Sequence, residues 1–151
     1  MPLRAIVICL LLSAPTFSAM ADADVKYFRS ETFKEKKLPL SEAVRVGNLL
    51  FVSGNLGIDF SKKGLELVPG GIVAETKQTM LNIENTLKSS GSSLAQLVKC
   101  TVFMANIDEW SELNKIWPSF FTENFPTRTA VEVQRLWRGA AVEITCIAYV
   151  D

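Results

Sequence analysis

The chain contains no histidine among its 151 residues. That excludes a Ser-His-Asp triad, a Cys-His nucleophile pair and the His-bearing zinc and iron sites. Cysteine is scarce, with three in all at Cys9, Cys100 and Cys146, so a cysteine-rich zinc site is excluded too. Net charge is also missing: 16 basic residues balance 16 acidic ones, and nothing suggests a nucleic-acid partner or an electrostatic grip on a membrane surface. Catalysis by this chain rests on carboxylates, Arg, Lys, hydroxyls, amides and backbone groups. No cofactor and no metal are expected.

The amino terminus differs in kind from the rest. Arg4 precedes a short apolar core, Ala5 to Leu12, and Ala19-Met20-Ala21 has the small-x-small pattern that a signal peptidase accepts. Residues 1–21 therefore read as a signal peptide cleaved after Ala21, leaving residues 22–151 as a single domain exported to the periplasm. The apolar run is too short for stable membrane insertion. The residues before Cys9 are Ile6-Val7-Ile8, without the small side chains that precede a lipid-modified cysteine. Export permits a disulfide between Cys100 and Cys146. Two buried cysteines acting as small apolar residues is the commoner state and the one expected here.

From Asp22 to Pro39 the chain is polar, and its charge run Lys34–Lys37 reads as solvated surface. Two strand signals, EAVRV and LLFVS, flank Gly47-Asn48 and suggest a hairpin, with Ser53-Gly54-Asn55 closing the second strand. A glycine at a strand end lets a ligand approach the backbone, so Gly54 is a candidate site residue. After a loop comes a helix, 72–90, whose Val73, Thr76, Met80, Ile83 and Leu87 fall in one stripe and which Gly91 stops. Leu97 to Met104 reads as a central strand. Asp108 can cap a second helix with apolar Trp110, Leu113, Ile116 or Trp117, and Phe120, which Pro118 should shorten.

The last quarter, Phe125 to Val150, carries two more strands. In the first, Arg128, Ala130 and Glu132 alternate with Thr129, Val131 and Val133; in the second, Glu143, Thr145, Ile147 and Tyr149 alternate with Val142, Ile144, Cys146, Ala148 and Val150. Charges among apolar neighbours on a sheet are costly unless paired or facing a wet cleft, so Arg128 and Glu143 are the first candidates for chemistry. They could equally form a structural ion pair, and Glu132 competes for Arg128. The order β-β-α-β-α-β-β describes a two-layer α+β domain with two helices on one face of a mixed sheet. Ala43, Leu50, Val52, Phe103, Ile147 and Tyr149 are candidates to line the other face, which self-association would cover.

Several stretches together resemble the reactive intermediate deaminase family (RidA; YjgF/YER057c/UK114): LPLSEAVRVGNLLFVSGNLG, SGSSLAQLVKCTVFM, EWSELN, FPTRTAVEV and GAAVEITCIAYV. The resemblance spans about residues 38–150. It implies a chorismate-mutase-like (bacillus type) α+β fold in a homotrimer with clefts between subunits. It implies hydrolytic deamination of 2-enamine and 2-imino acids, such as 2-iminobutanoate and 2-iminopropanoate, to 2-oxo acids and ammonia. It assigns Arg128 to the substrate carboxylate, Glu143 to the attacking water, and Asn114 and Gly54 to the pocket. The tyrosine that lies against substrate in the family's well-studied branch is Leu40 here, which makes that wall of the pocket more apolar. The alternative is a non-catalytic trimer that binds a small carboxylate or serves as a protein-interaction module.

Overall fold

The computed structural model describes residues 24–151, and the signal-peptide reading and Cys9 lie outside them. Six strands form one sheet: β1 (Val25–Phe28), β2 (Ala43–Val46), β3 (Leu49–Leu56), β4 (Leu97–Met104), β5 (Thr127–Glu132) and β6 (Val142–Tyr149). Their spatial order is β1-β2-β3-β6-β4-β5, with β4 and β5 parallel and every other pair antiparallel. Three α-helices accompany them: α1 (Glu31–Glu35), α2 (Gly71–Ser89) and α3 (Trp110–Ile116).

The expectation of a chorismate-mutase-like fold is corrected. The described chain is an open mixed sheet of six strands running from edge β1 to edge β5, not the expected five, and it carries a third, short helix. The extra strand and helix arise from the stretch read as polar. Val25 to Phe28 pairs with β2 by register Val25↔Val46 to Phe28↔Ala43, yet none of its side chains is buried, so it lacks the apolar alternation that marks a half-buried strand. Helix α1 buries Phe33 alone, and Ser30 accepts a hydrogen bond from the Phe33 amide at its start. Lys34 and Lys37 are exposed, whereas the Lys36 ammonium donates to the carbonyls of Lys62 and Lys63.

The core lies between α2 and one sheet face. Met80, Ile83 and Leu87 of α2 pack with Leu50, Val102, Met104, Ile144 and Cys146, all but removed from water. Ala43, Leu50 and Val52, offered as candidates for the second face, belong to this core instead. The opposite face carries Phe51, Phe103, Thr145, Ile147 and Tyr149, with Phe51 and Tyr149 exposed. Helix α2 ends where Gly91 turns to φ 81°: the Ser92 amide reaches the Leu87 carbonyl and the Gly91 amide the Lys88 carbonyl, a Schellman closure. Asn106, not Asp108, caps the turn before α3 by accepting from the Asp108 amide. Helix α3 stops at Ile116, and Pro118 falls in the 3₁₀ turn that follows, Trp117–Phe120.

Cys100 and Cys146 form a disulfide, which corrects the free-thiol expectation. The physical reason is register. β4 and β6 place the two residues directly opposite on the buried face, with Cα atoms 4.1 Å apart, and strand periodicity alone does not disclose pairing across strands.

Candidate active site

Arg128 is positioned by an edge strand and a helix. In the β4–β5 ladder it opposes Cys100, and opposed residues share a face, so its side chain turns toward the helix layer. There α3 and the turn after it supply Trp110, Asn114 and Trp117, spaced i, i+4, i+7 and hence on one side of the helix. The guanidinium carbon lies 5.5 Å from the Trp110 ring centre and 4.9 Å from that of Trp117, and Nη2 donates to Asn114 Oδ1. Nη1 is buried and has no hydrogen-bond partner among the described residues. Burial pushes the Arg128 pKa below its ordinary value. No ion pair joins Arg128 to a carboxylate among the described residues, so the pairings considered with Glu143 or Glu132 do not form; Glu132 is exposed. A planar cation with one arm held by Asn114 and another buried without a partner among the described residues keeps unused donor capacity for an anion.

Glu143 sits in a second group. On β6 it opposes Leu56 of β3 and Phe103 of β4, which puts it on the face away from α2. It is half-buried, and desolvation raises its carboxyl pKa. Beside it the β3–β6 ladder slips: Val52 pairs with Cys146 but Asn55 with Ile144, so Ser53 and Gly54 together face Thr145 in a bulge. Strand β3 thus continues past the Ser53-Gly54-Asn55 end expected from sequence. The bulge brings Gly54 so near the carboxylate that a Cβ built on it falls 2.1 Å from Glu143 Oε1. Only glycine allows this approach. Leu40 and Gly54 line a common recess next to this group.

The five residues singled out from sequence therefore divide. Arg128 and Asn114 meet on the helix side of the sheet, while Glu143, Gly54 and Leu40 gather at the other group. Strand β4 runs between β5 and β6, and within one chain the arginine and the glutamate point from opposite faces. Sequence reasoning read Trp110 as packing and Trp117 as packing or a bulky part of the cleft wall, and missed that the two indoles flank Arg128 itself; their i, i+7 spacing about Asn114 was the available signal. It also missed Glu75, buried on α2, whose Oε2 accepts from the Ala141 amide at 2.8 Å and so ties α2 to the start of β6. Burial raises the Glu75 pKa against the opposing pull of the Ala141 and Val142 amides.

The family model described as endoribonuclease L-PSP matches residues 13–150. A goat (Capra hircus) protein named 2-iminobutanoate/2-iminopropanoate deaminase is 41% identical over 110 residues, which cover 73% of this chain and 79% of that one. The crystal structure of a protein of the conserved Rid family from Yersinia pestis superposes with a TM-score of 0.77 at 32% identity, covering 84% of this chain and all of the other. A Mycobacterium tuberculosis structure described as a member of the YjgF/YER057c/UK114 family gives a TM-score of 0.70 at 29% identity over 84% of this chain and 100% of that one. With the alternating strands, the Arg128 group and the Gly54–Glu143 approach already placed, these likenesses show that the chain belongs to the endoribonuclease L-PSP family, the RidA/YjgF/YER057c/UK114 group.

Proposed function

We propose that the chain is a hydrolase that deaminates reactive 2-imino and 2-enamine acids to 2-oxo acids and ammonia, with 2-iminobutanoate and 2-iminopropanoate among its substrates. The observation that carries the reading is the Arg128 guanidinium, held by Asn114 between two indoles with Nη1 buried and unpartnered among the described residues. A 2-imino acid presents a planar carboxylate that a guanidinium accepts with two parallel hydrogen bonds. Lysine could neutralise that charge but could not fix the orientation of the imine carbon beside it.

Glu143 supplies the proton chemistry. Its carboxylate takes a proton from water as the water oxygen bonds to the imine carbon, and returns that proton to the imine nitrogen. The carbinolamine then collapses: Glu143 takes the hydroxyl proton and delivers it to the amine nitrogen, the C–N bond breaks, the carbonyl forms and ammonia leaves. A carboxyl pKa raised by burial brings the group nearer neutrality, where both directions of transfer are accessible.

Because Arg128 and Glu143 point from opposite faces of one sheet, the reading requires one copy to supply Arg128 and Asn114 and another to supply Glu143, Gly54 and Leu40. Exposed Leu49, Phe51 and Tyr149 on the face away from α2 support self-association, here taken as a homotrimer. A stable monomer in sedimentation at working concentration would remove this part. Export through residues 1–21 belongs to the same proposal, and N-terminal sequencing from an exporting host should begin at Asp22. The activity is tested by coupling a flavin amino-acid oxidase to the protein and following imine loss and ammonia release. Turnover above buffer that Arg128→Ala abolishes supports the reading, and no turnover by the wild type rejects it. Saturable binding of 2-oxobutanoate without turnover would favour the non-catalytic carboxylate-binding alternative.

A further inference from the structure

We infer that the recess beside Glu143 receives the side chain of the substrate and gives this protein a preference for imino acids with branched or aromatic side chains. The inference rests on the deaminase reading above and specifies its substrate class. The recess measures about 210 Å³ and is walled by Phe33, Leu38, Leu40, Phe60, Leu65 and Trp137. An apolar cavity of about 150 Å³ suffices to admit a benzene ring. Gly54 belongs to both places: it lines the recess, and its missing side chain leaves the Glu143 carboxylate in contact with the same backbone. Glu143 does not itself line the recess; Gly54 joins the two, and the inference places the imine carbon against Glu143 with its Cβ substituent reaching across Gly54 to these walls.

The walls come from four separate segments and are fastened to one another. Phe33 of α1 stacks on Phe60 with ring centres 5.3 Å apart. Lys36 Nζ donates to the carbonyls of Lys62 and Lys63 at 2.9 and 3.1 Å, clipping α1 to the loop that carries Phe60 and Leu65. From the opposite side Arg138 Nη1 donates to the Leu65 carbonyl at 3.0 Å while its guanidinium lies 4.5 Å from the Trp137 ring centre. Arg29 Nη2 holds the Leu38 carbonyl at 2.6 Å. Leu40 completes the lining with an apolar side chain and no donor. A methyl or ethyl side chain leaves such a recess mostly unfilled, whereas isobutyl or benzyl groups displace its water into bulk.

The test compares imines generated in place from leucine, phenylalanine and alanine, read as kcat/KM ratios to the alanine-derived 2-iminopropanoate. The inference predicts a ratio of about ten or more for the larger imines. It also predicts that Leu65→Trp, which narrows the recess, lowers that ratio by about ten-fold. A wild-type ratio of one or less with measurable turnover overturns the inference and leaves the deaminase reading standing. Absence of turnover on every imine rejects the deaminase reading instead. Calorimetry then decides the recess independently: 4-methyl-2-oxopentanoate binding ten-fold tighter than 2-oxopropanoate supports it, and equal affinity overturns it, as when a second copy fills the recess.

Discussion

Replacing Arg128 by methionine separates a ligand-binding arginine from a structural one. The substitution removes a desolvated cation whose Nη1 has no partner among the described residues, which relieves about 1–3 kcal/mol of burial cost. Against this stand two cation–π contacts, roughly 0.5–1 kcal/mol at exposed Trp110 and about 2 kcal/mol at buried Trp117, and one charge-assisted bond to Asn114, whose exposed amide regains water. These contributions nearly cancel, so the urea-derived stability should change by less than about 1–2 kcal/mol. A structural ion pair would behave differently, because breaking a buried pair costs about 3–5 kcal/mol. Activity should respond strongly. Loss of two charge-assisted bonds to a carboxylate, each worth about 1.5–3 kcal/mol, lowers kcat/KM by roughly 10²–10⁴-fold. Arg128→Lys keeps the charge but not the fork or the stack, and should fall between the two proteins. The assay pairs urea denaturation with oxidase-coupled imine hydrolysis on the same preparations. A large stability loss in Arg128→Met, or hydrolysis within three-fold of wild type, refutes the reasoning.

Further consequences concern the second group and the sheet. Burial raises the carboxyl pKa of both Glu143 and Glu75 above the ordinary 4.5, so over that interval the folded chain retains protons that the unfolded chain releases. Their contribution to stability is then greatest below pH 4.5 and declines as pH rises through the raised values. Urea midpoints for wild type should decline relative to Glu143→Gln over this range, and parallel profiles would count against it. Gly54→Ala forces the Glu143 carboxylate aside; since the obstructing atom ends a flexible side chain, stability should move by less than about 1 kcal/mol while kcat/KM falls at least ten-fold. Circular dichroism and imine turnover read the two effects, and unchanged turnover would show that Glu143 need not occupy its observed position. Reduction of the Cys100–Cys146 disulfide, which closes a loop of 46 residues, should lower stability by about 2–4 kcal/mol. Thiol titration in denaturant with and without reductant establishes the bond, and two titratable thiols without reductant would deny it.

Period-2 alternation disclosed β5 and β6, short apolar segments about Gly47-Asn48 disclosed β2 and β3, apolar density disclosed β4, and the three- and four-residue stripe disclosed α2. β1 stayed hidden because an exposed edge strand is held by its ladder to β2 rather than by apolar packing. The bulge at Ser53-Gly54 is likewise a property of two strands together; neither strand announces the slip alone. Arg128 and Glu143 were legible as charges in apolar strands, but alternation does not say which face the helices cover. Alternation set Thr129, Val131 and Val133 apart from Arg128, Ala130 and Glu132 without saying which side is inner; Arg128 and Ala130 face the helix layer, where the two tryptophans accept the guanidinium. The division of the site between faces was therefore invisible before strand order and register were known.

That division makes one measurement the most direct test of a deaminase site shared between copies. Arg128→Ala and Glu143→Ala are each expected to be inactive, and co-expressing them in one cell lets mixed assemblies form. A mixed assembly contains sites whose arginine and glutamate come from different, complementary copies. For random mixing the account predicts recovery of imine hydrolysis to about a quarter of the wild-type rate. Mixed assemblies, verified by differently tagged chains, that hydrolyse imines no faster than either variant alone would contradict it.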